Sequence, residues 1–150
     1  MRLERITREQ FEAWQPCQKI IVHDHARRFG ALRSPGEQTP TFALSWRSDS
    51  IEPMLVAGVR DEIWVGIDQR VACVSGDGRI VLSLGLASSF LGIHCFANAA
   101  VVLCETEALV FNNDCSIRAN RGLAGLPTDV LDQDGALVLI LEDGRRETLR

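Results

Sequence analysis

The sequence contains no tyrosine, and aromatic residues make up only 6% of its 150 positions. Its first ten residues, MRLERITREQ, are largely charged and polar and lack the apolar run of about 7 to 15 residues found in a signal peptide. No stretch approaches the roughly 18 consecutive apolar residues of a membrane-spanning helix. These absences predict a cytoplasmic chain that makes no contact with a membrane.

Motifs for common catalytic sites are also missing. The sequence has no GxSxG elbow, no phosphate-binding P-loop and no CxxC pair. The segment Ser75-Gly76-Asp77-Gly78 is typical of a tight β turn, in which glycine supplies a positive φ. We therefore expect a protein that is not an enzyme and that uses neither a cofactor nor a metal.

Charge is unevenly distributed along the chain. Residues 1–50 carry eight basic and six acidic side chains, whereas residues 51–150 carry eight basic and fourteen acidic ones. An acidic region with few aromatic residues has neither the positive surface nor the stacking surfaces that nucleic-acid binding requires. A basic protein is the partner that this composition favours, and nucleic acid is excluded.

The five cysteines are Cys17, Cys73, Cys95, Cys104 and Cys115, an odd number with no paired spacing. Three of them lie in apolar segments typical of buried strands. We interpret them as reduced thiols and expect slow reaction of Cys73, Cys95 and Cys104 with thiol reagents. Cys104 precedes acidic residues, which disfavour the thiolate and make it a poor nucleophile.

Two segments of the chain are related by a shift of 37 residues. VACVSGDGRIVLSLGL at 71–86 aligns with ALVFNNDCSIRANRGL at 108–123, and the identical pairs are Asp77 with Asp114, Ile80 with Ile117, Gly85 with Gly122 and Leu86 with Leu123. A third copy begins near Pro127; at a shift of 36 it sets Leu137 on Val101, and it ends one strand short. Repetition of this length indicates stacked supersecondary units.

Each unit is predicted to form four short antiparallel strands, for example MLVAGV, EIWVGID, RVACV and RIVLSLGL, separated by turns. Four strands in about 40 residues resemble the blade of a β-propeller, although the Trp-Asp and Gly-His signatures of the best-known propeller family are absent. The resemblance implies an all-β, mainly antiparallel fold with partial or open propeller-like repeats; a distorted β-sandwich is the alternative. We expect a single domain over 1–150, with an N-terminal cap at 1–40 and the β repeats at 41–150, where TFALSW supplies an extra edge strand.

The N-terminal cap begins with a helix signal. Thr7 and Gln10 have the spacing of a capping box, and a short helix over 7–15 is predicted to end before Pro16 and to cover a sheet face. The segment QKIIVHDHA then favours a strand. Alternation along that strand would place His23 and His25 on one face, as in a metal or proton-transfer site.

Acidic residues occupy the turn between the second and third strands of every unit. They are Asp68 in the first unit, Glu105 and Glu107 in the second, and Glu142 and Asp143 in the third. Equivalent turns of stacked units lie along one edge, so these carboxylates are predicted to form a surface that binds a partner. The alternative is that they are ordinary solvated turns.

The functional prediction combines these features. A small acidic chain with a repeated acidic edge resembles bacterial immunity proteins, which bind and inhibit a cognate toxin, and this resemblance is one of overall profile. It implies a non-catalytic module whose basic partner is a toxin domain. The alternatives are a small metal-binding protein or enzyme that uses His23, Asp24 and His25 with His94, and a regulatory scaffold that binds through the same edge.

Overall fold

The computed structural model describes residues 1–150, which form fifteen strands in four sheets. The first sheet contains β1 (Arg2–Arg5), β2 (Lys19–Ile21), β3 (Arg28–Arg33) and β4 (Phe42–Trp46) in the order β1-β3-β4-β2. The second contains β5 (Met54–Ala57), β6 (Glu62–Ile67), β7 (Arg70–Ser75) and β8 (Ile80–Gly85). The third contains β9 (Phe90–Phe96), β10 (Ala99–Cys104), β11 (Glu107–Phe111) and β12 (Ile117–Gly122), and the fourth β13 (Pro127–Gln133), β14 (Ala136–Leu141) and β15 (Arg146–Leu149).

The predicted fold class is confirmed. Every strand pair is antiparallel except β2 with β4, and the one α helix is α1 (Arg8–Glu12). In the second and third sheets the strands pair in chain order, as expected for four-stranded repeat units. No helix of the protein is long and apolar enough to cross a membrane.

The repeat shift is 37 residues throughout, so the shift of 36 predicted for the third copy is wrong. Strands β6, β10 and β14 start and end at positions that differ by 37 each time. Val65, Val102 and Leu139 therefore occupy the same place in successive sheets, and each side chain points toward the preceding sheet. A slip of one residue would turn the apolar side chains of β14 to the opposite face.

Three apolar cores lie between the four sheets. Trp46 and Leu44 of the first sheet meet Val65 of the second, Trp64 of the second packs on Phe111 of the third with ring centroids 5.1 Å apart, and the last core joins the third and fourth sheets. This arrangement of four sheets in succession rules out the alternative of a two-sheet sandwich. It also means that β6, β7, β10 and β11 are buried on both faces, which accounts for their almost continuous apolar sequences.

The first sheet differs from the sequence prediction in three ways. Strand β4 matches TFALSW but lies inside the sheet between β3 and β2, with all five residues buried, rather than at an edge. The first sheet thus extends past residue 40, and the repeats begin at Met54 rather than at residue 41. Strands β1 and β3 had no counterpart in the prediction.

Helix α1 covers the outer face of the first sheet, as predicted. The capping box is present: the Gln10 amide donates to Thr7 Oγ1 at 3.1 Å, and the Thr7 amide donates to Gln10 Oε1 at 2.8 Å. Phe11 is buried, and its ring lies 5.3 Å from that of Phe29 on β3. The helix is shorter than predicted: it ends at Glu12 with Ala13 as its C-cap, and a separate 3-10 turn follows at Pro16–Gln18.

Candidate functional site

The turns between the second and third strands of the last three sheets lie along one side of the stack, which we call the acidic-turn edge. It comprises the turns 68–69, 105–106 and 142–145. Each turn is tied by a backbone hydrogen bond to a segment that connects two sheets or to the residue directly after it: Phe90 N, at the start of β9, donates to Asp68 O at 2.7 Å, Glu105 N donates to Ser89 O at 3.0 Å, and Glu142 N donates to Leu126 O at 2.8 Å. Asp68, Glu105 and Glu142 are each the first residue of their turn and are spaced by 37 residues.

The two acidic residues of this edge that are best placed to bind a partner are Glu105 and Glu142. Both side chains are exposed, and neither carboxylate takes part in a salt bridge or a side-chain hydrogen bond. Asp143 is also exposed, but it accepts hydrogen bonds from the backbone amide of Arg145 at 3.0 Å and from its Nε at 2.6 Å. These bonds lower the pKa of Asp143 and leave the pair close to neutral.

Asp68 is half-buried and accepts a 2.7 Å hydrogen bond from the backbone amide of Arg47. Its φ of 52° is the left-handed conformation that aspartate tolerates in turns. The carboxylate therefore holds the loop after β4 against the second sheet. Its contribution to a charged surface is smaller than that of Glu105.

Glu107 was predicted to belong to the same surface, but the structure places it inside the protein. Only 8% of the residue is exposed, and Oε1 accepts a 2.9 Å hydrogen bond from the backbone amide of Ala87. The turn directly before Glu107 is held to the same inter-sheet loop, because the Thr106 amide donates a 3.0 Å hydrogen bond to the hydroxyl of Ser88. Glu107 is the first residue of β11 rather than part of the turn. Nothing in the sequence indicated this, because Glu105 and Glu107 are two residues apart and would be expected to point the same way.

A polar cleft lies on the acidic-turn edge between the first and second sheets. It has a volume of about 460 Å³ and contains no hydrophobic side chain; its lining residues are His23, Arg27, Arg47, Ser48, Asp49, Asp68, Gln69 and Ser89. Asp49 accepts from Arg27 at 3.0 Å and lies 3.3 Å from Arg28. The edge is therefore mixed in charge beside the first sheet and acidic beside the third and fourth. The excess of basic residues in 1–50 had suggested this difference, but it did not show where the basic side chains lie.

The histidine cluster does not have the predicted geometry. Strand β2 ends at Ile21, so His23 and His25 lie in the turn that follows rather than on one face of a strand. Nδ1 of His23 accepts a 3.0 Å hydrogen bond from the backbone amide of His25. His94 belongs to β9 in the third sheet, and its Nδ1 atom lies 3.7 Å from Oδ1 of Asp129. No three His, Cys, Asp or Glu side chains are grouped in a way that could hold a metal ion.

All five cysteines are free thiols. Cys73 and Cys104 are buried and Cys95 is partly buried, in agreement with the predicted strand positions. Burial is the main cause that raises the pKa of Cys104 to about 12 and that of Cys95 to about 11, with smaller effects from nearby Glu107 and Glu62, respectively. Cys104 is therefore held as a neutral thiol at physiological pH, as its acidic neighbours had indicated.

No protein-family model and no curated protein sequence matches this chain. Among solved structures, it is similar to BBS1N in complex with ARL6DN, with a TM-score of 0.53 and 17% identity over 75% of this chain and 39% of that one. It is also similar to HIRA(644–1017), with a TM-score of 0.52 and 18% identity over 85% of this chain and 43% of that one. Both neighbours are β-propeller-like, which confirms the resemblance to propeller blades. The chain spans about two fifths of the length of each neighbour.

Proposed function

We propose that the chain is a non-catalytic protein-binding module that contacts a positively charged protein through the acidic-turn edge. The observation that carries this proposal is the constant spacing of 37 residues, which sets Asp68, Glu105 and Glu142 at the same place in three successive sheets. A carboxylate retained at one place in each unit favours a shared role. BBS1N, a propeller-like neighbour, was crystallised in complex with another protein, which supports the same class of function here.

The third and fourth sheets carry the charge that a partner would meet first. Glu105 and Glu142 have no positive side chain bound to them, so their negative potential extends into solvent. Complementary charge speeds encounter and fixes the orientation of binding more than it adds affinity. Glu107 is left out of the proposed surface, because its carboxylate is buried and already bonded.

A toxin-immunity role is a narrower form of the same proposal. It draws on the size, acidity and β structure of the chain, and the propeller-like neighbours add nothing to it. Its test is direct binding between this protein and the products of the genes adjacent to its own. A neighbouring toxin that is bound and inhibited would establish the role, and the absence of binding by either adjacent product would remove it.

The test of the general proposal compares two variants of equal charge. Glu105→Lys with Glu142→Lys alters the acidic-turn edge, and Glu12→Lys with Glu37→Lys alters exposed glutamates on α1 and on the loop after β3. Each protein is immobilised, captured proteins are identified, and association rates are measured for each at low and high salt. We expect the first variant alone to lose partners bound by the wild type, with a slower association and a weaker dependence on salt.

Two outcomes would contradict the proposal. In the first, the partner of the wild type binds the Glu105/Glu142 variant at an unchanged rate in low salt. In the second, both double variants lose the partner equally, which would show that net charge rather than this edge is responsible. Circular dichroism of each variant establishes that the fold is retained, as expected for exposed carboxylates.

A further inference from the structure

Two cysteines from different sheets lie side by side in the second core. Cys73 on β7 belongs to the second sheet, and Cys115 in the turn between β11 and β12 belongs to the third. Their Sγ atoms are 3.5 Å apart, although the residues are 42 positions apart in the chain. Cys73 is fully buried, whereas Cys115 is partly exposed, so the pair has one thiol that a small reagent can reach.

The backbone at Cys115 is unusual for a residue with a side chain. Its φ is 64°, and the equivalent position 37 residues earlier is Gly78, with a φ of 88°. The preceding aspartates, Asp77 and Asp114, are also equivalent, and Asp114 accepts a 3.0 Å hydrogen bond from the Ser116 amide as a turn former does. Glycine adopts this conformation without the steric cost that a Cβ brings, so the turn itself gives no reason for a cysteine here.

We infer that Cys73 and Cys115 form an oxidative modification site, at which hydrogen peroxide converts the two thiols into a disulfide between the second and third sheets. The thiolate of Cys115 attacks one peroxide oxygen; the O–O bond breaks, and Cys115 becomes a sulfenic acid with release of water. Cys73 then attacks Sγ of Cys115 and displaces the hydroxyl as a second water. Two thiol protons leave in the waters, and hydrogen peroxide accepts the two electrons.

The geometry permits this bond with little rearrangement. A disulfide needs the sulfur atoms to approach to about 2.05 Å, and the partner that must move is on a turn rather than within a strand. Burial raises the pKa of both thiols, and the carboxylates of Glu62 and Asp114 add to the effect at Cys115, while the hydrogen bond with Cys73 opposes it. The thiolate is therefore scarce at neutral pH, and the site responds slowly to sustained peroxide rather than to a brief pulse.

The test treats the purified protein with hydrogen peroxide in a Cys17→Ser background, which removes the exposed thiol that could join two chains. Digestion with trypsin and Asp-N under non-reducing conditions separates Cys73, in peptide 71–76, from Cys115, in peptide 114–118. We expect these two peptides to appear joined, with the loss of two free thiols per chain and full reversal by dithiothreitol. The rate should rise close to tenfold per pH unit below the pKa of the attacking thiol.

Matched variants decide between this pair and the other thiols. Cys95→Ala, which alters one of the two other cysteines of the same core, should leave the cross-link intact, whereas Cys115→Ala should abolish it without preventing folding. Labelling of Cys115 by iodoacetamide provides a second readout. In the parent protein, peroxide should block this labelling by forming the disulfide. In the Cys73→Ala variant, peroxide should instead leave Cys115 as a sulfenic or sulfinic acid. A cross-link to Cys95, or accumulation of sulfinic acid at Cys115 in the parent without any bond to Cys73, would overturn the inference.

Discussion

Replacing Glu107 separates its structural role from the binding role of Glu105, two residues earlier on the same hairpin. In Glu107→Ala the amide of Ala87 loses its bond to a charged acceptor, an interaction that contributes about 1.5 to 3 kcal/mol when well shielded. Ala87 is itself exposed, so water can replace part of that bond. We therefore expect the free energy of unfolding to fall by about 1 to 2 kcal/mol, which lowers the Tm by about 2 to 8 °C in a chain of this size.

Urea unfolding followed by fluorescence of the buried Trp46 and Trp64 measures this change directly. Glu107→Gln keeps an acceptor oxygen and should lose less than the alanine variant. Glu105→Ala, whose carboxylate is exposed and unpaired, should stay within about 0.5 kcal/mol of the wild type. If Glu107→Ala unfolds at the wild-type urea concentration, or if Glu105→Ala is equally destabilised, the assignment of a structural role to Glu107 alone is wrong.

Three further predictions concern the cores and the turns. Leu139→Ala should lower the free energy of unfolding by about 2 to 5 kcal/mol, measured by urea unfolding, because it opens a cavity in the third core; a loss under about 1 kcal/mol would contradict its burial there. Gly66→Ala should be destabilising by the same assay, since a Cβ there would lie 2.2 Å from the ring of Phe90, and Gly66→Ala combined with Phe90→Leu should recover part of the loss. Hydrogen bonds lower the pKa of Asp114 and Asp143 in the folded protein, so their contribution to stability is present at neutral pH and should be lost as pH falls through the acid range below about 4. The Tm should therefore fall less between pH 6 and pH 3 in Asp114→Asn and in Asp143→Asn than in the wild type, and an equal fall would contradict the prediction.

The parts of the fold that sequence reasoning recovered are those with local or repeated signals. The capping box of Thr7 and Gln10 is set by four adjacent residues, and the strands of the second and third sheets follow from apolar segments separated by turns. The register of the fourth sheet was missed by one residue because Leu137, Val138 and Leu139 are all apolar and fit either shift. Packing decides which of these residues face the third sheet, and in the structure they are Leu137 and Leu139.

The first sheet and the candidate site depend on contacts between distant parts of the chain. Strands β2 and β4 pair in parallel although β3 lies between them in the chain. No repeat in the sequence predicts this pairing. The polar cleft brings Arg27 beside Asp49 and Asp68 in the same way. Acidic turns were predictable from residue type alone, but whether a carboxylate faces water, as at Glu105, or a backbone amide, as at Glu107, is decided by the loop that folds over it.

The succession of cores makes the energetic coupling of the protein nearly one-dimensional. The second and third sheets are each held by a core on both faces, whereas the fourth shares only one, the core around Leu139. Opening the fourth sheet leaves the other two cores in place, but opening the third sheet removes the support of the fourth as well. Amide hydrogens of β14 should therefore exchange with solvent through a smaller, local opening, and those of β7 only through an event that dismantles most of the stack.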